Sequence, residues 1–393
     1  MPHTTYLVTV SGPDRVGVGA ELFAALAKVS SEGGQLSDVA QITIRGALVL
    51  CAEVSVGDSV SEDDLRVAIT SRDINRDGIV ATIERVTPDP IQSGGRLLVT
   101  LLAQRIDADQ LEGIFRAIAS VHATCERIVH LASYPVDCYE LVVRGQDHTA
   151  LREVLTAVAQ ARGVDLAVQR AGLHRRAKHL VVMDADSTLL QDEVIDLLAE
   201  EADCADEVAT ITELAMAGEL DFAESLRRRV ALLAGLDASV LDRVREKLRL
   251  TPGARTLLHT LHRLGYVPAV VSGGFVEVLA PLLAQLHVDY LEANRLEIVD
   301  GTITGRLDGP IVDRAGKARA LERFAAEVGV PLAQTVAVGD GANDIDMISV
   351  AGLGIAFNAK AVVREHADAA LSVPYLDAVL YFLGISREEI ETE

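Results

Sequence analysis

Short apolar runs alternate with helical patterns from residue 178 onward, and this alternation restricts the fold more than any other feature of the chain. Apolar runs bounded by polar or glycine residues predict buried strands, and the longer amphipathic stretches between them predict helices. Strands that alternate with helices form a parallel sheet wrapped by helices. The predicted fold class of this part is therefore α/β, with a Rossmann-like parallel sheet. Its predicted strands are HLVVM, YVPAVVS, TVAVG and GIAF.

Acidic, hydroxyl and glycine residues follow three of these strands. They are Asp184 and Asp186 after LVVM, Ser272, Gly273 and Gly274 after PAVV, and Asp340, Asn343 and Asp344 after TVAV. The carboxyl ends of parallel strands open on one crevice, so these side chains are expected to converge. Converging carboxylates repel one another unless a cation or a proton lies among them. Oxygen ligands without His or Cys suit a hard ion, so the sequence predicts a Mg²⁺ site.

An anion site is predicted beside these carboxylates. The Ser272 hydroxyl and the Gly273 amide, expected at the start of a helix, form a donor cluster, and Lys317 adds a positive charge. Phosphoryl transfer requires mainly in-line positioning and charge neutralisation. A carboxylate such as Asp184 can act as the nucleophile through an aspartyl-phosphate while Asp186 handles protons. The alternative, that both aspartates only cap the next helix, does not explain a second buried charge.

Four motifs in this order resemble those of the haloacid dehalogenase-like phosphatases: DADST at 184–188, SGG at 272–274, Lys317, and GDGAND at 339–344. The resemblance covers about residues 178–380, and the run 211–233 resembles the phosphoserine phosphatase family in particular. It implies a small helical cap at about residues 200–250. It also implies a phosphoric monoester hydrolase that requires Mg²⁺ and converts O-phospho-L-serine to L-serine and phosphate, the last step of serine biosynthesis.

The resemblance implies roles for individual residues. Asp184 matches the nucleophile, and Asp186 matches the acid that protonates the leaving serine oxygen and then activates water. The other implied roles are Mg²⁺ ligation by Asp184, the Asp186 backbone carbonyl and Asp340; phosphate binding by Ser272, Gly273, Lys317 and Asn343; support by Asp344; and substrate binding in the cap by Glu193, Arg229, Met216 and Phe222. Glu193 would face the ammonium and Arg229 the carboxylate, which suits a zwitterion. Core packing competes with the apolar lid role of Met216 and Phe222.

The N-terminal part repeats one order of elements, βαββαβ, at residues 1–87 and 95–171, before the phosphatase-like part at 178–393. Such units cover one sheet face with helices and leave the other face or an edge to pair with a neighbour. Both resemble ACT domains, which are ferredoxin-like modules of amino-acid enzymes, and this implies a homodimer and regulation by serine. The loop SGPDRVGVGAEL implies an effector site at Asp14 and Gly17, whereas the second loop has no glycine near its start.

Composition argues against several other classes of protein. The 58 acidic and 36 basic residues give a net charge of −22, and no basic block offers a site for nucleic acid. No run of about 18 apolar residues and no basic leader occur, so a cytoplasmic protein without membrane contact is expected. The four cysteines lack CxxC spacing and are expected to be reduced. His259 and His262 lie one turn apart without a third ligand, which favours a surface role.

Two other functions stay open from the sequence. One keeps the mechanism on another small phosphomonoester, or transfers the phosphoryl group to a different acceptor alcohol. The other is an amino-acid-sensing regulatory protein with a vestigial catalytic domain. The retention of four mutually costly charges argues against the second; they are Asp184, Asp186, Lys317 and Asp340.

Overall fold

The structure is a computed structural model, and it describes residues 3–30, 35–57, 60–70, 74, 76–86, 95–145, 147–172, 175, 177–216 and 219–391. The chain forms two compact units, Met1–Gln92 and Ser93–Glu393. No helix in the described ranges combines the length and the apolar character that crossing a membrane requires.

The first unit has the predicted βαββαβ order. Its elements are β1 (His3–Pro13), α1 (Val18–Ser30), β2 (Gln35–Ile44), β3 (Ala47–Gly57), α2 (Glu62–Thr70) and β4 (Val80–Arg85). The strands form an antiparallel sheet in the order β2-β3-β1-β4. Alternate residues of β1, including Val8 and Val10, are buried against Leu22 and Leu26 of α1, because successive strand residues point to opposite faces. Every residue of the edge strand β2 is exposed.

The second unit begins with another βαββαβ module. Its elements are β5 (Gly95–Ala103), α3 (Ala108–Ser120), β6 (Thr124–Ala132), β7 (Asp137–Gly145), α4 (His148–Arg162) and β8 (Asp165–Arg170). Asp107 caps α3 by accepting a hydrogen bond from the Gln110 amide at 2.9 Å, and Gly163 ends α4 in the left-handed region. These caps provide hydrogen-bond partners for backbone amides at the N-terminus of α3 and for backbone carbonyls at the C-terminus of α4, which would otherwise lack them.

The remainder of the second unit is the predicted parallel α/β fold. Its elements are β9 (Leu180–Met183), α5 (Val194–Glu201), α6 (Ala205–Met216), α7 (Phe222–Ala231), α8 (Val240–Lys247), α9 (Ala254–Arg263), β10 (Val267–Phe275), α10 (Val276–Gln285), β11 (Tyr290–Asn294), β12 (Leu296–Val299), β13 (Thr302–Leu307), α11 (Arg314–Val328), β14 (Thr335–Gly339), α12 (Ile345–Val350), β15 (Gly354–Phe357), α13 (Ala361–Arg364), β16 (Ala369–Leu371), α14 (Val379–Phe382) and α15 (Arg387–Glu391).

The central strand β9 is buried on both faces. Leu180 and Val182 belong to one apolar cluster, whereas Val181 and Met183 belong to another on the opposite face. The parallel strands lie in the order β11-β10-β9-β14-β15-β16, so the strands that carry the predicted site residues are adjacent. This confirms the fold class. The hairpin β12–β13 and strand β11 were not predicted from the sequence.

The sheet of the second ACT-like module continues into the parallel sheet. Strand β8 pairs antiparallel with β16 through Ala167 and Ala369, giving one sheet of ten strands. The Ser372 amide also donates to the Asp165 carboxylate at 2.5 Å. One edge of this module, β8, therefore pairs within its own chain, whereas the other edge, β6, is the last strand of the ten-stranded sheet.

Candidate active site

Asp184 is the first residue after β9, and both of its carboxylate oxygens are held. Oδ1 accepts a hydrogen bond from the Ala185 amide at 2.7 Å, and Oδ2 lies 2.7 Å from Lys317 Nζ. Lys317 reaches the strand ends from α11 and is also 2.7 Å from Asp344 Oδ1. Burial alone would lower the pKa of Lys317, but the two carboxylates raise it above its ordinary value. Lys317 is therefore a permanent cation in this site.

Three carboxylates converge at the strand ends. Asp184, Asp340 and Asp344 each place one oxygen within 4.8 Å of the other two. Burial, followed by the charge of Asp344, raises the pKa of Asp184 well above its ordinary value and raises that of Asp340 to about 6. The donor set contains oxygen atoms only, and one lysine contacts two of its members. This arrangement fits a hard divalent cation such as Mg²⁺, which would relieve the remaining repulsion.

Asp186 lies beside Asp184 but in a different environment. Its Oδ1 accepts a hydrogen bond from the Val194 amide at 3.1 Å, and its Oδ2 accepts one from the Ser272 hydroxyl at 3.3 Å. Burial, with a further contribution from the charge of Glu193, raises the pKa of Asp186 to about 7. A carboxyl group with a pKa in this range can both give and accept a proton near neutral pH.

The backbone of the DADST motif departs from helical geometry at two positions. In the kinked turn at residues 185–189, Asp186 is extended with a ψ of 134°, and Ser187 has a φ of 56°, in the left-handed region. The Ser187 hydroxyl donates to Glu193 Oε1 at 2.8 Å. The turn therefore brings Glu193, at the N-terminus of α5, close to the aspartate pair.

Ser272 and Gly273 are not at the start of a helix, contrary to the prediction. They lie in the last part of β10, and α10 begins at Val276. The Gly274 amide donates to Ser272 Oγ at 2.8 Å, which holds the hydroxyl near Asp186. A Cβ on Gly274 would lie 3.0 Å from both Asp186 Oδ2 and Ser272 Oγ, so a larger residue here would have to displace these oxygens by a few tenths of an ångström. The donor cluster thus depends on an extended segment rather than on a helix dipole.

The cap is the helical segment between Leu190 and Leu250, whose two ends pair as an isolated antiparallel bridge. Within it, the Phe222 ring lies 3.4 Å from the position that a Cβ on Gly273 would occupy. The Arg229 side chain is partly buried, and its Nε has no hydrogen-bond partner among the described residues. Burial lowers the pKa of Arg229, whereas the charges of Asp196, Glu193 and Asp186 oppose that shift. Arg229 therefore lies near enough to Asp196, Glu193 and Asp186 to be influenced by their charges.

Other predicted site residues are less informative. Asn343 lies partly buried in the short 3₁₀ turn after β14. Met216 ends α6, but its side chain lies outside the described residues.

In the first unit, Asp14 is exposed with its amide donating to Gly46 O at 2.8 Å, and Gly17 has a φ of 99°. His259 and His262 are exposed on α9, as expected from the sequence.

Two residues at the site were not predicted. Thr188 is fully buried, and its hydroxyl donates to Asp340 Oδ1 at 3.3 Å. Its position in the DADST motif, two residues after Asp186, was the available sequence signal. Asn294 is buried at the end of β11 and contacts the Gly273 carbonyl. Nothing in the neighbouring sequence indicated that contact.

Comparison with known proteins identifies the family. Residues 181–349 match the haloacid dehalogenase-like hydrolases, and residues 4–71 and 97–169 each match an ACT domain. A phosphoserine phosphatase of Streptomyces coelicolor is 54% identical over 387 residues, which cover 98% of this chain and 94% of the relative. The chain belongs to the phosphoserine phosphatase family. It is therefore a phosphoric monoester hydrolase that carries two ACT domains.

Two solved structures of phosphoserine phosphatases are similar to the chain. The crystal structure of a probable phosphoserine phosphatase from Vibrio cholerae has a TM-score of 0.59 and 33% identity, covering 76% of this chain and 89% of that one. A phosphoserine phosphatase described as a phospho-aspartyl intermediate analogue has a TM-score of 0.50 and 42% identity, covering 52% of this chain and 98% of that one.

Proposed function

We propose that this member of the phosphoserine phosphatase family hydrolyses O-phospho-L-serine through an aspartyl-phosphate on Asp184. The observation that carries the proposal is the pair of unlike carboxyl groups at the end of β9. Asp184 is held at both oxygens, by Lys317 and the Ala185 amide, whereas Asp186 faces the Ser272 hydroxyl. A fixed carboxylate suits attack on phosphorus, and a carboxyl that titrates near neutral pH suits proton transfer.

The first half-reaction follows from these positions. Asp184 attacks phosphorus, the bond between phosphorus and the serine oxygen breaks, and Asp186 donates its proton to that oxygen. Lys317, the Ser272 hydroxyl and the Gly273 amide balance the charge of the transferred group. In the second half-reaction Asp186 accepts a proton from water as the water oxygen attacks the aspartyl-phosphate. Phosphate and a free Asp184 carboxylate result, so the two steps leave the enzyme unchanged.

Mg²⁺ would be held by Asp184 and Asp340 together with the Asp186 carbonyl, with Asp344 in support. Bound there, it would supply positive charge for the phosphoryl oxygens. The support for this assignment is the oxygen-only cluster, in which three carboxylates approach within 4.8 Å of one another. Thr188 would orient Asp340, to which it donates a hydrogen bond.

The cap residues support a zwitterionic substrate. Glu193 offers a carboxylate for the ammonium group, and Arg229 offers a guanidinium for the substrate carboxylate. The Arg229 Nε, which has no hydrogen-bond partner among the described residues, is suited to donate a hydrogen bond to that carboxylate. The Phe222 ring, next to Gly273, would exclude water from the first half-reaction. Met216 is proposed for the same lid from the resemblance alone.

Phosphate release from O-phospho-L-serine, with Mg²⁺ and with EDTA, tests the proposal. We expect metal-dependent release by the wild type and none by Asp184→Asn. Asp346→Asn is the matched control, because Asp346 is a surface residue paired with Arg314. Phosphate release from other monoesters but not from phosphoserine would contradict the proposed substrate and leave the proposed mechanism in place. Activity retained in Asp184→Asn would show that Asp184 is not the nucleophile.

We also propose that the ACT domains bind an amino acid, namely serine, which is the product of the proposed reaction. In addition, we propose that they join two chains in a homodimer. Asp14 and Gly17, in the loop between β1 and α1, are the proposed effector site. The edge strand β2 supports the dimer, because it exposes four large apolar side chains: Leu36, Val39, Ile42 and Ile44. Serine inhibition should weaken in Asp14→Ala, and light scattering should give twice the chain mass. Unchanged inhibition or a monomer would contradict these assignments.

A further inference from the structure

Asn294, the last residue of β11, connects the two segments that carry the phosphate-binding groups. Its Nδ2 donates to the Gly273 carbonyl at 2.8 Å, and its Oδ1 accepts from the Val312 amide at 2.8 Å. Only 1% of the residue surface is exposed. Strand register places Asn294 opposite Phe275, so its side chain reaches the loop that contains Ser272 and Gly273.

One bond of Asn294 fixes the peptide between Gly273 and Gly274. The carbonyl of this peptide accepts from Asn294, and its amide donates to Ser272 Oγ at 2.8 Å. Because the two groups share one rigid plane, holding the carbonyl also holds the amide. Ser272 Oγ accepts from that amide and donates to Asp186 Oδ2. The orientation of the Ser272 hydroxyl therefore depends on Asn294, although Asn294 itself does not touch the aspartates.

The other bond of Asn294 fixes the start of α11. Val312 directly precedes Asp313, which caps this helix by accepting from the Gly316 amide at 2.7 Å. The carbonyl of Asp313 accepts from the Lys317 amide at 2.9 Å, in the first turn. Asn294 thus sets the separation between residues 272–274 at the end of β10, here called the phosphate loop, and α11, the helix that carries Lys317.

We propose that Asn294 is a positioning residue for phosphate binding, which holds the Ser272 hydroxyl and Lys317 at the spacing that a phosphoryl group requires. This rests on the proposed function of those two residues. The position requires one donor and one acceptor on a short planar group, and an amide provides both. An aspartate would place a negative oxygen against the Gly273 carbonyl, and an alanine would leave both backbone groups without their partner.

The test measures KM and kcat for O-phospho-L-serine, and inhibition by inorganic phosphate, in Asn294→Asp and Asn294→Ala. We expect KM and the phosphate inhibition constant to rise together by at least tenfold. Asn358→Asp is the matched control, because it makes the same chemical change at an exposed residue and should leave both constants unchanged. Circular dichroism and thermal melting establish which variants fold. If Asn294→Asp does not fold, the kinetic comparison is made with Asn294→Ala.

The possible results distinguish a failure of the positioning role of Asn294 from a failure of the proposed phosphate site. A folded Asn294 variant with wild-type KM and phosphate inhibition would overturn the positioning role, even if its melting temperature fell. A purely structural role would reduce the amount of active enzyme, and hence the apparent kcat, without changing either constant. If phosphate did not compete with substrate in the wild type, the phosphate site of the proposed function would itself fail, whatever the variants did.

Discussion

Replacing Arg229 by alanine should reduce activity on one substrate and spare another. Arg229 is proposed to bind the carboxylate of phosphoserine, and phosphoethanolamine is the same molecule without that carboxylate. Both substrates keep the phosphate and the ammonium group, so Asp184, Lys317 and Glu193 would serve them equally. The ratio of kcat/KM for the two substrates therefore isolates the interaction with Arg229.

The magnitude follows from the environment of Arg229. Its guanidinium is partly buried, and its Nε lacks a hydrogen-bond partner among the described residues, so a substrate carboxylate would meet an uncommitted donor. A hydrogen bond to a charged group contributes about 1.5–3 kcal/mol. One factor of ten in rate corresponds to about 1.4 kcal/mol. Arg229→Ala should therefore lower kcat/KM for phosphoserine by roughly 10- to 150-fold, and by less than about threefold for phosphoethanolamine.

The assay is phosphate release from each substrate at saturating Mg²⁺. Arg227→Ala is the control, because Arg227 lies on the same helix with an exposed side chain and should leave both values of kcat/KM unchanged. An equal loss on the two substrates would refute the reasoning, since it would mean that Arg229 supports the cap or the phosphate rather than the carboxylate. No loss of kcat/KM on either substrate would show that Arg229 does not take part in substrate binding.

Three further predictions concern the phosphate loop, the fold and the metal. Gly274→Ala should lower kcat at least tenfold with little change in melting temperature, because the new methyl would lie 3.0 Å from Asp186 Oδ2; a wild-type kcat would contradict this. Glu140→Gln should cost about 3–5 kcal/mol in urea unfolding, because it removes the negative partner of the buried Arg175 guanidinium. The two charged atoms lie 2.5 Å apart but are not aligned as a hydrogen bond, so the stabilisation comes from the opposite charges. Glu140→Gln with Arg175→Met should recover much of that loss, and additive losses would argue against coupling. Phosphate binding measured by calorimetry should require Mg²⁺, and equal affinity in EDTA would show that the chain binds the anion without the metal.

The parts of the site that were predictable from sequence are those carried by contiguous motifs. Asp184, Asp186 and Asp340 follow buried strands, and parallel strands place such positions at one edge whatever the rest of the chain does. Asn294 belongs to no motif, because its role depends on contacts with Gly273 and Val312 from two other segments. Thr188 is the last residue of the DADST motif, but only the tertiary structure brings its hydroxyl to Asp340.

The union of the second ACT domain with the catalytic sheet was not predictable for a related reason. Strand β16 has three residues, and it meets β8 at a single pair, Ala369 with Ala167. Such a short contact leaves no periodic pattern in the sequence. The helix expected at Ser272 was wrong because glycines permit an extended segment to continue, and the sequence pattern did not distinguish this from a helix start.

The charges of the site explain why a cation and a closing cap would be needed together. In the part of the chain that the structure describes, five carboxylates line the site, and the cations beside them are Lys317 and Arg229. The carboxylates are Asp184, Asp186, Glu193, Asp340 and Asp344. A phosphate ester entering this field would be repelled unless the carboxylates at the strand ends were neutralised first. Lys317 is already committed to Asp184 and Asp344, so it cannot do this alone. Neutralising the strand ends would remove the repulsion, and a cap that brought Arg229 over the substrate would strengthen the remaining attractions by excluding water.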